Sequence, residues 1–370
     1  VDVVIADIHY VYSLQATLGS LMDSSGQRWS VLLDEAHNLP ERARGMYSAR
    51  LAKASLMAAR EASSGPVRRR LDKINRQMLA LQNESWQEPQ FESRDQVPER
   101  LLAAMQDLTA MVSEQLAADP AYQQRQTAFL EFYVDVLQLL REAENWGDDY
   151  RFELSRGGGR QSLCIELNCL DPGRLLAVGH GRAHAVTAFS ATLSPMQWCS
   201  ASLGFGENAV FRRADSPFSP DQLEVDIVTR IDTRFHQRQA SLPALAGTLL
   251  TWLSATPGNC ILYFPSYRYM SDCLAAMSDA GGAIAQRHVL QQEPGLDEAG
   301  RQALLSKLEE RRDVAAFCIL GGVFGEGIDL PGDRLASIVV VGVGMPQVNR
   351  QTRQLQQWYQ HRYGDGFEYT

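Results

Sequence analysis

Apolar and polar positions change period several times along the 370-residue chain. Residues 31–33, Val-Leu-Leu, form a short unbroken apolar run, as a strand buried on both faces requires. From residue 40 to 147 Ala, Leu, Arg, Gln and Glu dominate and β-branched residues are few. Helical spacing of apolar positions predicts four helices, near 40–62, 66–83, 97–117 and 121–146. Pro66 suits a first helical turn, and Asp119-Pro120 opens the last helix. Residues 84–96, with Pro89 and several polar side chains, read as a loop. Phe129, Phe132 and Tyr133 share one face of the last helix and are expected in the core. β character returns at 150–154 and 162–167, with Arg156-Gly157-Gly158-Gly159-Arg160 as the turn between them. After a proline-containing loop at 212–220, helices near 239–255, 266–279 and 296–311 alternate with strands. Those strands are expected near 224–229, 259–264, 284–289, 315–320 and 337–342. This alternation predicts a parallel sheet covered on both faces.

Composition narrows the class. Apolar content of 45% and charged content of 21% are those of a globular chain. No apolar run approaches the ~20 residues that span a bilayer, so no membrane role is expected. Net charge is -9, so any nucleic-acid path must be a local basic groove on an acidic body. The six cysteines, Cys164, Cys169, Cys199, Cys260, Cys273 and Cys318, form no C-x-x-C pair. Cys260 and Cys318 lie in apolar runs and read as core residues.

The candidate chemistry lies at strand ends. The run 31–33 passes directly into Asp34-Glu35-Ala36-His37. Open α/β sheets bind ligands at the carboxyl ends of their strands. Asp34 is placed there to hold Mg2+ beside phosphates, and Glu35 to orient or deprotonate an attacking water. Residues 185–189 form a second apolar run, which ends in Ser190-Ala191-Thr192. Small hydroxyls there can link the acids to a neighbouring domain. Residues 259–264 break at Pro265 and are followed by Ser266-Tyr267. Residues 314–320 run into Gly-Gly-Val-Phe-Gly-Glu-Gly-Ile-Asp-Leu, whose glycines permit positive φ and whose Glu326 and Asp329 supply acceptors. Arg69, Lys73 and Arg76 recur at helical spacing, either facing a phosphate backbone or forming a solvated helix face. Ser254-Ala255-Thr256 repeats the hydroxyl triplet at a helix end and is read as coincidence.

Together, the DEAH sequence, Ser-Ala-Thr-Leu-Ser-Pro, Phe-Pro-Ser-Tyr and Glu-Gly-Ile-Asp resemble motifs II, III, IV and V of superfamily 2 DNA helicases of the XPD/DinG group. Ile8-His9-Tyr10, 168–172 and Ser216-Pro217-Phe218 echo other segments of that group. The resemblance implies an α/β fold: two RecA-like parallel-sheet motor domains with an inserted α-helical arch-like domain. The expected layout is 1–41 for an incomplete part of the first motor domain and 42–150 for the arch. Residues 151–212 would hold the hairpin and the rest of that motor domain, and 213–370 the second. The resemblance implies ATP hydrolysis with Mg2+, 5′ to 3′ translocation and unwinding of DNA, in repair or replication. Asp34, Glu35 and His37 would be catalytic. Ser190, Thr192, Gly327 and Asp329 would couple the nucleotide site to movement, and Ser266 and Tyr267 would touch DNA. Single-stranded and forked DNA are the implied partners of a monomeric, cytoplasmic protein, nucleoid-associated if bacterial.

The sequence also departs from the group. No Gly-x-x-x-x-Gly-Lys-Thr loop precedes the DEAH sequence, and no Gln-x-x-Gly-Arg-x-x-Arg helix follows motif V. The expectation is an internal fragment of a longer helicase, inactive alone. Many members of the group hold an iron–sulfur cluster with cysteines upstream of the DEAH sequence. Residues 1–33 contain none, so a cluster is expected, if anywhere, in the parent rather than in this segment. Intact Asp34 and Glu35 favour an active motor over a non-catalytic strand- or partner-binding relative.

Overall fold

The computed structural model describes residues 3–13, 16–118, 127–159, 162–344, 349–364 and 366. Arg160 of the expected glycine turn and Asp119-Pro120 lie outside these. The chain divides into two compact units, 1–214 with 351–370, and 215–350.

The first unit opens with helices α1 (His9–Tyr12) and α2 (Thr17–Ser24), then strand β1 (Ser30–Leu33) and helix α3 (Leu39–Met46). Strand β2 (Ala49–Ala52) and helices α4 (Lys53–Ala62) and α5 (Gly65–Asn83) follow, then β3 (Phe91–Arg94), α6 (Glu99–Ala118) and α7 (Thr127–Glu144). Strands β4 (Tyr150–Ser155) and β5 (Cys164–Cys169), helix α8 (Gly173–His180), strand β6 (Ala185–Ala188) and helix α9 (Met196–Ser202) complete the run. β1 and β6 pair in parallel, with Leu33 opposite Ala188. The other four strands form an antiparallel sheet in the order β2-β5-β4-β3.

The region expected to be purely helical is therefore mixed. The first expected helix is cut into α3 and α4 by β2, because Ala49–Ala52 pairs with the edge of β5. Part of the expected loop at 84–96 is β3, which pairs with β4. α4 to α7 still bury a continuous apolar stripe. Leu56, Leu71, Ile74, Met105, Leu108, Phe132 and Val136 are fully buried, and Phe129 and Tyr133 join them in the core. Residues 3–5 form no strand, and Val3 and Ile5 lie open to solvent.

The second unit begins with extended chain, then α10 (Arg238–Ala255), β7 (Cys260–Phe264), α11 (Tyr267–Ala280) and β8 (His288–Gln291). Helix α12 (Glu298–Glu310) and strands β9 (Val314–Ile319) and β10 (Ser337–Val340) follow. All pairs in the sheet β10-β7-β9-β8 are parallel. Its strands send alternate residues to opposite faces. Cys260, Leu262, Phe264, Ala315 and Phe317 pack in one core, whereas Ile261, Val314, Ala316 and Cys318 pack in another. The expected strand at 224–229 keeps its apolar alternation but pairs with no described strand, and Val225 and Ile227 are exposed.

The last described helix is α13 (Arg350–Tyr363), whose residues from 351 on pack in the first unit. Leu355 and Tyr359 bury against Leu170, and Trp358 Nε1 donates to the Asp148 carbonyl at 3.1 Å. The segment 213–370, expected as one domain, is thus divided between the two units.

Candidate functional site

The DEAH residues sit on the turn that ends β1. Phe189, just past β6, donates its amide to the Leu33 carbonyl at 3.0 Å and accepts the Ala36 amide at 3.2 Å. Both ends of the Asp34-Glu35 dipeptide are thus pinned to one neighbouring residue, and the two acids form a short excursion between them. The excursion is tight enough to force Glu35 to φ 46°, the one left-handed non-glycine among the described residues. For a residue with a Cβ this costs roughly 1–2 kcal/mol, a strain that persists only where the surroundings hold it. Asp34 Oδ1 caps the turn by accepting the Glu35 amide at 2.8 Å. Both acids are exposed, while Ala36 is buried and anchors the turn.

Ser190 meets this turn from the end of β6. His37 Nδ1 lies 2.7 Å from Ser190 Oγ, and Ser190 Oγ donates to Glu35 Oε2 at 3.2 Å. The Thr192 amide also donates to Ser190 Oγ, at 3.2 Å. A hydroxyl has one proton and two lone pairs. If that proton serves Glu35, the lone pairs take Thr192 N–H and His37 Nδ1–H. That arrangement requires the His37 tautomer protonated on Nδ1. Thr192 Oγ1 lies 3.4 Å from Ser190 Oγ. Glu35, His37, Ser190 and Thr192 are therefore brought together, with Asp34 at their edge.

The second unit carries the other candidates. Ser266 caps α11, its Oγ accepting the Tyr269 amide at 3.3 Å. Tyr267 is the first residue of the helix and is half-buried. The loop after β9 turns through positive φ at Gly321 and Gly327. Asp329 is exposed on it. Three side chains that sequence reading passed over hold this loop. Tyr263 donates to the Phe324 carbonyl at 2.5 Å. Arg301 donates to the carbonyls of Val323 and Gly327 at 3.2 and 3.1 Å. Gln292 accepts the Ile319 amide at 3.0 Å. No local pattern marks them, since each acts on a partner far away in sequence.

Arg69, Lys73 and Arg76 are exposed on one face of α5. Lys73 is paired with Asp107 at 2.6 Å, and this hydrogen bond holds the Asp107 carboxyl below its ordinary range. Part of the basic stripe is thus neutralised locally. Among the described residues no group of three or more His, Cys, Asp or Glu is arranged to hold a metal. The six cysteines are buried and free, and burial pushes the Cys260 thiol up to about 11 and Cys273 and Cys318 to about 12.

Residues 249–370 match the helicase C-terminal domain family. Over 228 residues the chain is 23% identical to ATP-dependent DNA helicase CHL1 of Scheffersomyces stipitis. Over 234 residues it is 29% identical to ATP-dependent DNA helicase DDX11 of Homo sapiens. These matches take in 57% and 56% of this chain but only 27% and 24% of the two relatives. Among solved structures, an apo XPD aligns with 95% of this chain and 67% of its own, at a TM-score of 0.51 and 16% identity. Xpd4 of S. tokodaii aligns with 97% of this chain and 69% of its own, at a TM-score of 0.54 and 12% identity. In sequence the chain is similar to these helicases, and in fold to the XPD structures. The mixed α/β architecture with parallel sheets is the XPD fold, and the DEAH turn lies at a strand end of it.

Proposed function

We propose that this chain is the central part of an ATP-dependent DNA helicase that moves 5′ to 3′ on single strands and opens forked duplex. The observation that carries the reading is the Ser190 bridge. One hydroxyl at the end of β6 touches both Glu35 and His37, so a change at Glu35 can be felt on the neighbouring strand.

ATP enters this reading as substrate. Asp34 would hold Mg2+: its Oδ1 is engaged by the Glu35 amide, which leaves its other oxygen for a cation. A single protein carboxylate suits Mg2+, which keeps several waters and leans on phosphate oxygens. The ion would neutralise charge developing on the transferred phosphoryl group. Glu35, exposed and held in a fixed backbone geometry, would take the proton of the attacking water. His37, Ser190 and Thr192 would transmit the change in charge at Glu35. In the second unit, Gly327 and Asp329 would respond to the nucleotide. Ser266 and Tyr267 would meet a DNA phosphate at the first turn of α11, where helix amides lack intrahelical partners. The insertion of α4 to α7 would act as the arch over the strand, with Arg69, Arg76 and, once released from Asp107, Lys73 facing it. A role in repair or replication, a monomeric state and a cytoplasmic location fit this reading. An iron–sulfur cluster, if the full-length protein has one, would lie outside this chain.

The test is Glu35→Gln in the full-length protein. It removes the base and keeps the shape. Steady-state ATP turnover should fall on the order of 10²-fold or more, with ATP binding retained. Turnover at the unmodified rate would end the assignment.

A further inference from the structure

Gln292, the residue after β8, is only 3% exposed, and its amide is engaged at both ends. Oε1 accepts the backbone amide of Ile319 at 3.0 Å, and Nε2 donates to the Tyr267 hydroxyl at 3.2 Å. Its own backbone amide donates to the Phe317 carbonyl at 2.9 Å. The side chain is therefore fixed at its root by β9 and spans, at its tip, from the last residue of β9 to the first residue of α11. Ile319 is the root of the glycine loop that carries Gly327 and Asp329. Tyr267 adjoins Ser266 at the opening turn of α11.

The surroundings leave this bridge little freedom. A Cβ on Gly322 would fall 3.0 Å from Gln292 Nε2 and 3.3 Å from Oε1, so the glycine gives the amide its passage. Gly322 N donates to the Ile319 carbonyl at 3.0 Å, and Gly325 N to the Gly322 carbonyl at 2.8 Å. The loop thus grows in two tight turns directly from the residue that Gln292 holds. Neighbouring Gln291 reaches Ser271 of α11 through its amide at 3.2 Å. Two consecutive glutamines therefore engage the same helix, but only the buried one also engages the loop. In a site of low dielectric, an amide bonded at both ends transmits displacement at either end, because breaking one bond leaves a buried polar group unsatisfied.

We infer that Gln292 is a positioning residue that couples the Ser266–Tyr267 turn to the Gly321–Asp329 loop, so that a strand phosphate at the turn resets the loop. This rests on the helicase reading and names a relay within it. Loading the turn moves the Tyr267 hydroxyl, Gln292 passes the movement to the Ile319 amide, and the loop follows. Gln292 itself touches neither nucleotide nor DNA in this account.

The test uses the full-length protein, single-stranded DNA as probe, and three variants. Gln292→Met keeps the volume and removes both amide bonds. Gln292→Asn is one methylene short and keeps a polar group in the site without spanning it. Gln292→Glu keeps the acceptor for Ile319, and the Tyr267 hydroxyl can turn to donate to it. Expected for Met and Asn are unchanged ATP turnover without DNA, unchanged DNA affinity and a fall of about tenfold in stimulation by DNA. Glu should recover most of the stimulation, which mere packing does not explain. If Met does not fold, Asn decides. Stimulation that survives both substitutions overturns the inference alone. Basal turnover and stimulation falling together in all three variants also overturns it, and leaves Gln292 a packing role. Absence of stimulation in the unmodified protein overturns the helicase reading and the relay with it.

Discussion

Ser190 is the residue on which the first site turns. Its hydroxyl lies within hydrogen-bond distance of Glu35, His37 and the Thr192 amide. Ser190→Ala removes the bridge, its hydrogen bond to Glu35 included, and leaves both carboxylates in the chain. Leu33 and Ala36, which flank the two acids, keep their backbone bonds to Phe189, so ATP hydrolysis should persist. DNA affinity should also persist, since the candidate DNA contacts lie elsewhere. The loss is expected in the yield, with base pairs opened per ATP consumed falling about tenfold. Parallel unwinding and phosphate-release assays read that ratio directly. An alanine variant with no hydrolysis at all would instead make Ser190 part of the chemical step. Much of this site was legible in the sequence. An apolar run ending in two acids, and another ending in small hydroxyls, announce strand ends with polar chemistry on them. Gln292, Arg301 and Tyr263 were not legible. Each matters only through a partner brought near by folding, and no spacing rule carries that information.

At the scale of elements, the packing of α7 on β4 has its own chemistry. Glu142 of α7 is 2% exposed, and burial pushes its carboxyl up to about 7. Tyr150 of β4 places its hydroxyl 3.1 Å from Glu142 and 3.0 Å from the Tyr47 carbonyl. One phenol proton cannot serve both acceptors fully. A protonated Glu142 resolves the conflict by donating to the phenol oxygen, while the phenol donates to Tyr47. The folded carboxyl thus titrates above its unfolded value of about 4.3. Its favourable contribution is complete in acid below that value, and is lost as pH rises through about 7. Gln mimics the protonated form. Glu142→Gln should leave stability nearly unchanged at pH 5 and raise it at pH 8 by about 1–3 kcal/mol. Thermal melts at the two pH values measure the difference, and an equal effect at both would exclude a buried proton. The same elements show where sequence reading failed. Ala49-Arg50-Leu51-Ala52 has good helix formers, yet it becomes β2 because β5 offers it an unpaired edge. Residues 224–229 have the strand pattern and lack a partner among the described residues.

For the molecule as a whole, the two units have separate cores. The alternation of strands and helices made the second sheet legible, since each βα unit is local. The assignment of α13 was not legible, because its burial is decided by Leu170, far away in sequence. Tyr359 is fully buried in that small cluster. Tyr359→Ala should cost the docking of α13 about 3–5 kcal/mol, the usual range for removing a large buried aromatic. Hydrogen exchange should then speed up in α13 and leave β7 and β9 as protected as before. Equal loss of protection in β7 and β9 would mean that the units unfold as one.

The docking of α13 on Leu170 also sets an order of events at birth. A ribosome delivers the chain from its N-terminal side, and β7, β8, β9 and β10 all emerge before Leu355 and Tyr359 do. The second unit, continuous in sequence, can therefore assemble while the first still shows an uncovered Leu170 surface. The first unit to appear is the last to be finished. A nascent chain from which β10 has emerged and α13 has not would hold a paired second sheet and a bare Leu170 surface, which a chaperone can cover until α13 arrives.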